Sequence, residues 1–64
     1  MRIFDLLIDL PFLPKGRRFW FDDDTGDVYA VLDGKMAEHP LRTALASYLW
    51  LLLTEDGYLK KVID

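Results

Sequence analysis

The sequence predicts one small α+β domain, in which an antiparallel meander of three or four strands packs against a single helix in the C-terminal half. Three observations lead to this prediction. Turn-forming residues divide the chain into pieces of strand or helix length. The early pieces alternate apolar and other residues with period two, and one later piece repeats its apolar residues at helical spacing. A chain of 64 residues makes a single domain, here residues 1–64.

The first segment, Arg2 to Leu10, has the alternation of a strand. One of its faces is wholly apolar and would hold Phe4, Leu6, Ile8 and Leu10. The other face would hold Ile3, Asp5, Leu7 and Asp9. Pro11 cannot donate a ladder hydrogen bond, so we expect an irregular connection over residues 11–16.

The next two strands, Arg17 to Asp22 and Asp27 to Leu32, are predicted to form a hairpin. A type I turn centred on residues 24–25, with Gly26 in the left-handed conformation, fits this sequence. This turn would pair Phe21 with Tyr29 and Phe19 with Val31. The opposite side of the ribbon would then hold Trp20, Val28, Ala30 and Leu32.

A helix is predicted to begin near Pro40 and to end at a Gly57 cap. Its central stripe would be Leu41, Leu45, Tyr48 and Leu52. We expect helix residues Leu41, Leu45, Leu49 and Leu52 to meet sheet residues Phe4, Ile8, Phe19 and Val31. The tail over residues 58–63 could add an edge strand guarded by Lys60 and Lys61, although its weak alternation leaves a helical or frayed end open.

The apolar arc of this helix covers more than half of its circumference, which is more than one core-facing stripe requires. We therefore expect Ala46, Trp50 and Leu53 to form a second surface that associates with another molecule, with Trp20 of the hairpin as a further interface residue. A domain of this size buries only about 60% of its unfolded surface, and it has no cysteine for a disulfide. A homodimer or higher oligomer is predicted. The alternative is that the first strand or the tail covers Trp50.

Four carboxylates cluster at the predicted hairpin tip: Asp22, Asp23, Asp24 and Asp27. A calcium loop needs glycine at its sixth position, but a loop starting at Asp22 has Asp27 there and one starting at Asp23 has Val28. We expect a solvated turn and no metal site. An alternative is that these carboxylates imitate nucleic-acid phosphates and inhibit a host nucleic-acid enzyme by occupying its basic groove.

The sequence indicates a binding protein rather than an enzyme. There is no cysteine nucleophile, Ser47 lies within the predicted helix, His39 is the only histidine, and no cofactor motif is present. The net charge of −3 disfavours nucleic-acid binding, although Arg17 and Arg18 beside aromatic residues leave a base-stacking surface as an alternative. The apolar segments are too short to span a bilayer, and no secretion signal is apparent. A cytoplasmic location is expected.

Several short segments carry a resemblance to known proteins: Asp9-Leu10-Pro11-Phe12, Lys15-Gly16, Phe19, Gly26-Asp27-Val28-Tyr29 and His39-Pro40-Leu41. Together they resemble small uncharacterised proteins of bacteriophages and prophages, over roughly residues 9–50. The resemblance implies a phage accessory protein in a bacterial cytoplasm that binds a host or phage protein. It implies no catalytic residue.

Overall fold

The computed structural model describes residues 2–63, with only the backbone described for residue 63. Its elements, in chain order, are β1 (Arg2–Leu6), β2 (Arg18–Phe21), β3 (Val28–Leu32), β4 (Lys35–Met36), α1 (Thr43–Leu53) and β5 (Leu59–Ile63). The five strands form one sheet in the order β4-β3-β2-β1-β5, and all neighbours are antiparallel.

The predicted α+β architecture is confirmed. One helix packs on one face of an antiparallel sheet, and the tail forms a closing strand. That strand, β5, pairs with β1 and brings the two ends of the chain together. The ladder between them is irregular at Ile3 and Phe4, where the pairing skips a residue on β5.

The sheet has one strand more than the sequence predicts. Asp33 and Gly34 both have positive φ angles, 53° and 76°, which is the backbone of a two-residue hairpin turn that follows the twist of the flanking strands. This turn returns the chain along β3 as the two-residue strand β4. The backbone beyond it stays beside β3, since the Ala37 and Leu41 N–H groups donate to Ala30 and Val28.

The first strand is shorter than predicted and ends at Leu6 rather than Leu10. The Asp9 carboxylate accepts a hydrogen bond from the backbone N–H of Lys15 at 2.8 Å, and Leu10 and Leu13 form an isolated bridge. These bonds close residues 9–15 into a compact loop and therefore draw the end of the predicted strand away from the sheet.

The hairpin forms where predicted, but its predicted register is wrong by one residue. Phe21 pairs with Val28, and Trp20 pairs with Tyr29. The loop has four residues because the Asp22 side chain accepts the N–H of Asp24 at 2.9 Å and holds a helical turn at the tip. A shift of one residue moves every side chain of one strand to the other face of the ribbon, so Val28 points to the core.

The helix is shorter than predicted at both ends. Because the Leu41 N–H bonds to Val28 at 2.8 Å, the chain is still extended after Pro40 and turns helical only at Thr43. At the other end Thr54 is the cap, and its hydroxyl donates to the Leu51 carbonyl at 2.7 Å. Gly57 lies beyond, in the turn to β5, with a φ of 93°.

The core lies between the helix and one face of the sheet. Its buried residues are Phe4, Leu6, Phe19, Phe21, Val28, Ala46, Leu49 and Leu52. Phe4, Phe19, Leu49 and Leu52 were predicted there, and Ile8, Leu41 and Leu45 pack at its margin. Val31, predicted to meet the helix, points to the other face because of the register shift.

Candidate interaction surface

The predicted second surface of the helix is not an uncovered surface. Ala46 is buried in the core, and Trp50 and Leu53 pack against it as partly buried residues. The helix is rotated by roughly 70° from its predicted orientation, so that its buried side is centred on Leu49. Arg2 of the first strand contacts Trp50, in keeping with the alternative, but β2 and the hairpin turn contact it as well. The interface of Ala46, Trp50 and Leu53 stays a prediction, and burial of Ala46 weakens it.

Trp50 is held by three contacts from the sheet side. Its ring meets Phe21 edge to face, with centroids 5.0 Å apart. The Arg2 guanidinium lies 5.5 Å from its ring centroid, and its indole Nε1 donates to the Gly26 carbonyl at 2.8 Å. The carbonyl of the hairpin turn satisfies the Trp50 indole N–H, so Trp50 can face inward. Tyr48 lies on the exposed side of the helix, where its hydroxyl can hydrogen bond to water.

The rotated helix exposes a smaller apolar patch on its solvent side. Leu51 is 60% exposed and Phe12 is 56% exposed. The Phe12 and Tyr48 rings touch, with centroids 5.7 Å apart. We call Phe12, Tyr48 and Leu51 the helix patch.

Trp20 lies on the opposite side of the molecule, on the sheet face that α1 does not cover. Since strand side chains alternate between faces and Phe4, Phe19 and Phe21 point to the helix, their strand neighbours point away. We call this surface the helix-free face, and its residues are Ile3, Asp5, Arg18, Trp20, Tyr29, Val31, Met36 and Lys60.

Two rows of side chains cross the helix-free face. In the first, Ile3 pairs with Trp20, and Trp20 with Tyr29. The rings of Trp20 and Tyr29 are in contact, with centroids 5.2 Å apart. We call these three residues, each of which is half-buried, the apolar row. At the β4 margin of the same face Met36 is 48% exposed.

The second row is charged at its centre. It runs from Met36 through Val31, Arg18 and Asp5 to Lys60. The Arg18 guanidinium donates to both carboxylate oxygens of Asp5, with Nε–Oδ1 at 2.7 Å and Nη2–Oδ2 at 3.0 Å. This hydrogen bond from Arg18 lowers the pKa of Asp5 below its ordinary value of 3.8. The two groups are an ion pair at neutral pH.

The indole N–H of Trp20 differs from that of Trp50. Trp20 Nε1 is shielded from solvent and has no hydrogen-bond acceptor among residues 2–63. An unpaired buried donor costs about 1–3 kcal/mol. Because this N–H makes no hydrogen bond with the described residues, Trp20 is held on the helix-free face by packing against its neighbours rather than by a polar contact.

The four aspartates of the hairpin do not form a uniform acidic surface. The Asp22 carboxylate is occupied by the loop backbone. Asp23 receives two hydrogen bonds from Arg2, with Nε–Oδ2 at 3.2 Å, and this bonding lowers the Asp23 pKa. Two of the four carboxylates are therefore already hydrogen bonded within the chain, and a partner would meet fewer available carboxylates than the sequence suggests.

Other potential sites are limited. An open cleft of 330 Å³ lies beside the helix-free face, lined by Arg17, Arg18 and the turn after β3. Within residues 2–63, no group of three or more histidine or carboxylate side chains is arranged to hold a metal ion. The helix in the described part of the chain is too short to cross a membrane.

Sequence reasoning singled out Trp20 but not the residues around it. Ile3 was assigned to a strand face without a role, and the register error placed Tyr29 and Val31 on the core side. The available signal was the alternation itself, because Ile3, Trp20, Tyr29 and Val31 are apolar residues on strand positions opposite to the core positions.

No protein-family model, curated protein or solved structure matches this chain. The resemblance to bacteriophage proteins stays a prediction.

Proposed function

We propose that this protein is a non-catalytic protein-interaction module that associates with a second copy of itself through the helix-free face. The observation that carries the proposal is the apolar row, in which Ile3, Trp20 and Tyr29 stand side by side on a sheet face without a helix. A one-sided sheet commonly keeps its solvent face polar. Contiguous apolar side chains there are typical of association surfaces.

The dimensions of the face support a weak dimer. The sheet has three strands of five residues, one of four and one of two, which at about 4.8 Å by about 3.4 Å per residue gives about 340 Å² of projected area per copy. Two copies would bury roughly 700–900 Å² of accessible surface, somewhat below the lower bound of about 1,000 Å² for specific complexes. We therefore expect a dissociation constant in about the micromolar range or weaker.

A second copy is the partner that fits the charges of the face. Arg18 and Asp5 stand next to each other at its centre, so the same surface carries both signs and can complement itself. Two-fold dimers, in which one patch meets its own copy, are the commonest oligomers. An acidic or a basic partner would attract one of these two residues and repel the other.

The proposal includes a role as a phage accessory protein in a bacterial cytoplasm, on the resemblance described above. The alternative role as an acidic inhibitor has less support, because Asp22 and Asp23 are engaged within the chain. Replacing all four hairpin aspartates with asparagine would abolish binding by such an inhibitor but leave self-association unchanged.

The test is sedimentation velocity over a concentration series up to about 1 mM, well above the expected dissociation constant. We expect the wild-type mass to rise from one chain toward two. Trp20→Lys should remain monomeric, because it places a charge in the middle of the apolar row. Circular dichroism should report an unchanged fold, since Trp20 is outside the core.

Leu51→Lys is the matched control, as it introduces the same charge into the helix patch on the other side of the molecule. It should dimerise like the wild type. A wild-type chain that stays monomeric throughout the series, or self-association lost in Leu51→Lys but kept in Trp20→Lys, would overturn the proposal.

A further inference from the structure

The positions of Asp5 and Arg18 restrict how two helix-free faces can meet. The two residues are register partners on β1 and β2, and their side chains remain 27% and 44% exposed. A line parallel to the strands, midway between β1 and β2, passes between the carboxylate and the guanidinium. The apolar pair Ile3 and Trp20 lies across the same line.

Rotation by 180° about such a line exchanges β1 and β2. In a stacked pair of copies, Asp5 of one copy then lies opposite Arg18 of the other, and Ile3 lies opposite Trp20. The charges of Asp5 and Arg18 from the two copies form a square in which every neighbour has the opposite sign, and Lys60 at the margin of the same row lies opposite Val31 of the other copy. The apolar residues form a contiguous patch beside that square.

Other two-fold axes fit the same residues poorly. An axis along β2 would stack Arg18 on Arg18, and an axis along β1 would stack Asp5 on Asp5. Like charges placed opposite each other at an interface cost several kcal/mol. An axis across the strands would bury Asp5 and Arg18 against the apolar row, where they lose water without gaining a partner.

We infer that two copies stack through their helix-free faces about a two-fold axis that runs parallel to the strands between β1 and β2, so that Asp5 of each copy pairs with Arg18 of the other. This inference rests on the proposed self-association and adds its geometry. Charge pairs of this kind contribute to orientation more than to affinity, because desolvation offsets much of their attraction. The apolar row contributes the affinity.

The first test uses two charge reversals, Asp5→Lys and Arg18→Glu. Each variant alone would stack like charges twice and should lose at least about tenfold in self-affinity. An equal mixture restores both contacts, because Lys at position 5 of one copy meets Glu at position 18 of the other. Light scattering should report monomers for each variant and dimers for the mixture.

The second test keeps one charge of each sign at positions 5 and 18 of each chain. In the double variant Asp5→Arg/Arg18→Asp, the new arginine lies beside Lys60, so circular dichroism first checks that the fold is unchanged. This variant should form homodimers as the wild type does. It should not form mixed dimers with the wild type, since Arg would then face Arg18 and Asp would face Asp5. Native mass spectrometry with one chain ¹⁵N-labelled distinguishes the three species.

The outcomes separate this inference from the proposal on which it rests. A monomeric wild type overturns both. If the wild type dimerises and Trp20→Lys does not, self-association through the face stands. In that case, free mixing of the double variant with the wild type, or a mixture of the single variants that stays monomeric, overturns the axis between β1 and β2.

Discussion

The two tryptophans have contrasting surroundings that determine their roles. Trp50 gives its N–H to the Gly26 carbonyl and packs on Phe21, so it ties the helix to the hairpin turn. Trp20 packs on Tyr29, and its N–H has no acceptor among residues 2–63. Trp50 therefore serves stability, whereas Trp20 is the residue that we propose to serve association.

Phenylalanine substitutions test this contrast. Trp50→Phe removes a hydrogen bond and a cation–π contact, and should lower the free energy of unfolding by about 1–2 kcal/mol. Trp20→Phe removes a donor that has no acceptor, so it should cost less. Urea denaturation at a concentration where the chain is monomeric measures both. Equal losses, or a larger loss for Trp20→Phe, would contradict the assignment.

The ion pair on the helix-free face predicts a pH dependence. The hydrogen bond from Arg18 lowers the folded-state pKa of Asp5 below 3.8. A lowered pKa means that the pair stabilises the fold above about pH 3.8 and that this contribution is lost as the pH falls through the lower folded value. At neutral pH the contribution is fully present.

A carboxyl ¹³C titration by NMR checks the cause. Arg18→Gln should move the Asp5 midpoint up toward 3.8, because it removes the bidentate donor. Arg17→Gln is the control, since it removes the same charge from a residue that does not hydrogen bond to Asp5. The explanation fails if both substitutions move the midpoint equally.

At the scale of elements, the hairpin illustrates what a turn sequence does and does not predict. Asp-Asp-Thr-Gly correctly predicts a turn with Gly26 in the left-handed region, where its φ is 81°. It does not predict whether the loop has three or four residues, because glycine is the last residue of the loop in either case. The Asp22 side-chain bond to the N–H of Asp24 decides for four. That single contact determines which face Val28 and Tyr29 occupy.

Substitution of Gly26 measures how strongly the turn depends on its backbone. A Cβ at this position would meet no atom within 4 Å, so any loss comes from the positive φ alone. Gly26→Ala should lower the free energy of unfolding by about 1 kcal/mol, and Gly26→Asn by less, because asparagine tolerates this conformation. Thermal denaturation of both variants tests the prediction. Equal stability of alanine, asparagine and glycine would contradict it.

The helix was predictable in existence but not in orientation. Its eleven residues contain no charge, and the polar strip of Thr43 and Ser47 is confined to its first half and is too narrow to fix the orientation. Contacts distant in sequence decide instead: the Gly26 carbonyl accepts the Trp50 N–H, and Phe12 covers Tyr48. The strand β4 was missed for a different reason. The Asp33-Gly34 turn signal is present in the sequence, but the two residues of β4 are too few to show the alternation of a strand.

At the scale of the whole molecule, one helix on five strands covers only one face of the sheet. The sequence predicts the excess apolar surface on the helix, whereas the structure has apolar surface on both sides of the molecule: the helix patch and the half-buried apolar row of the sheet. The prediction that this small domain offers an apolar association surface thus moves from Trp50 to Trp20. Composition could indicate that excess, but only the register reveals where it lies.

The most direct test of the central proposal is an isotope-filtered NMR experiment on an equal mixture of labelled and unlabelled chains. It detects only contacts between copies. We expect such contacts from the Trp20 ring to apolar side chains of the helix-free face, with Ile3 first among them. Contacts confined to Tyr48 and Leu51, or none at concentrations where the mass has doubled, would contradict the account.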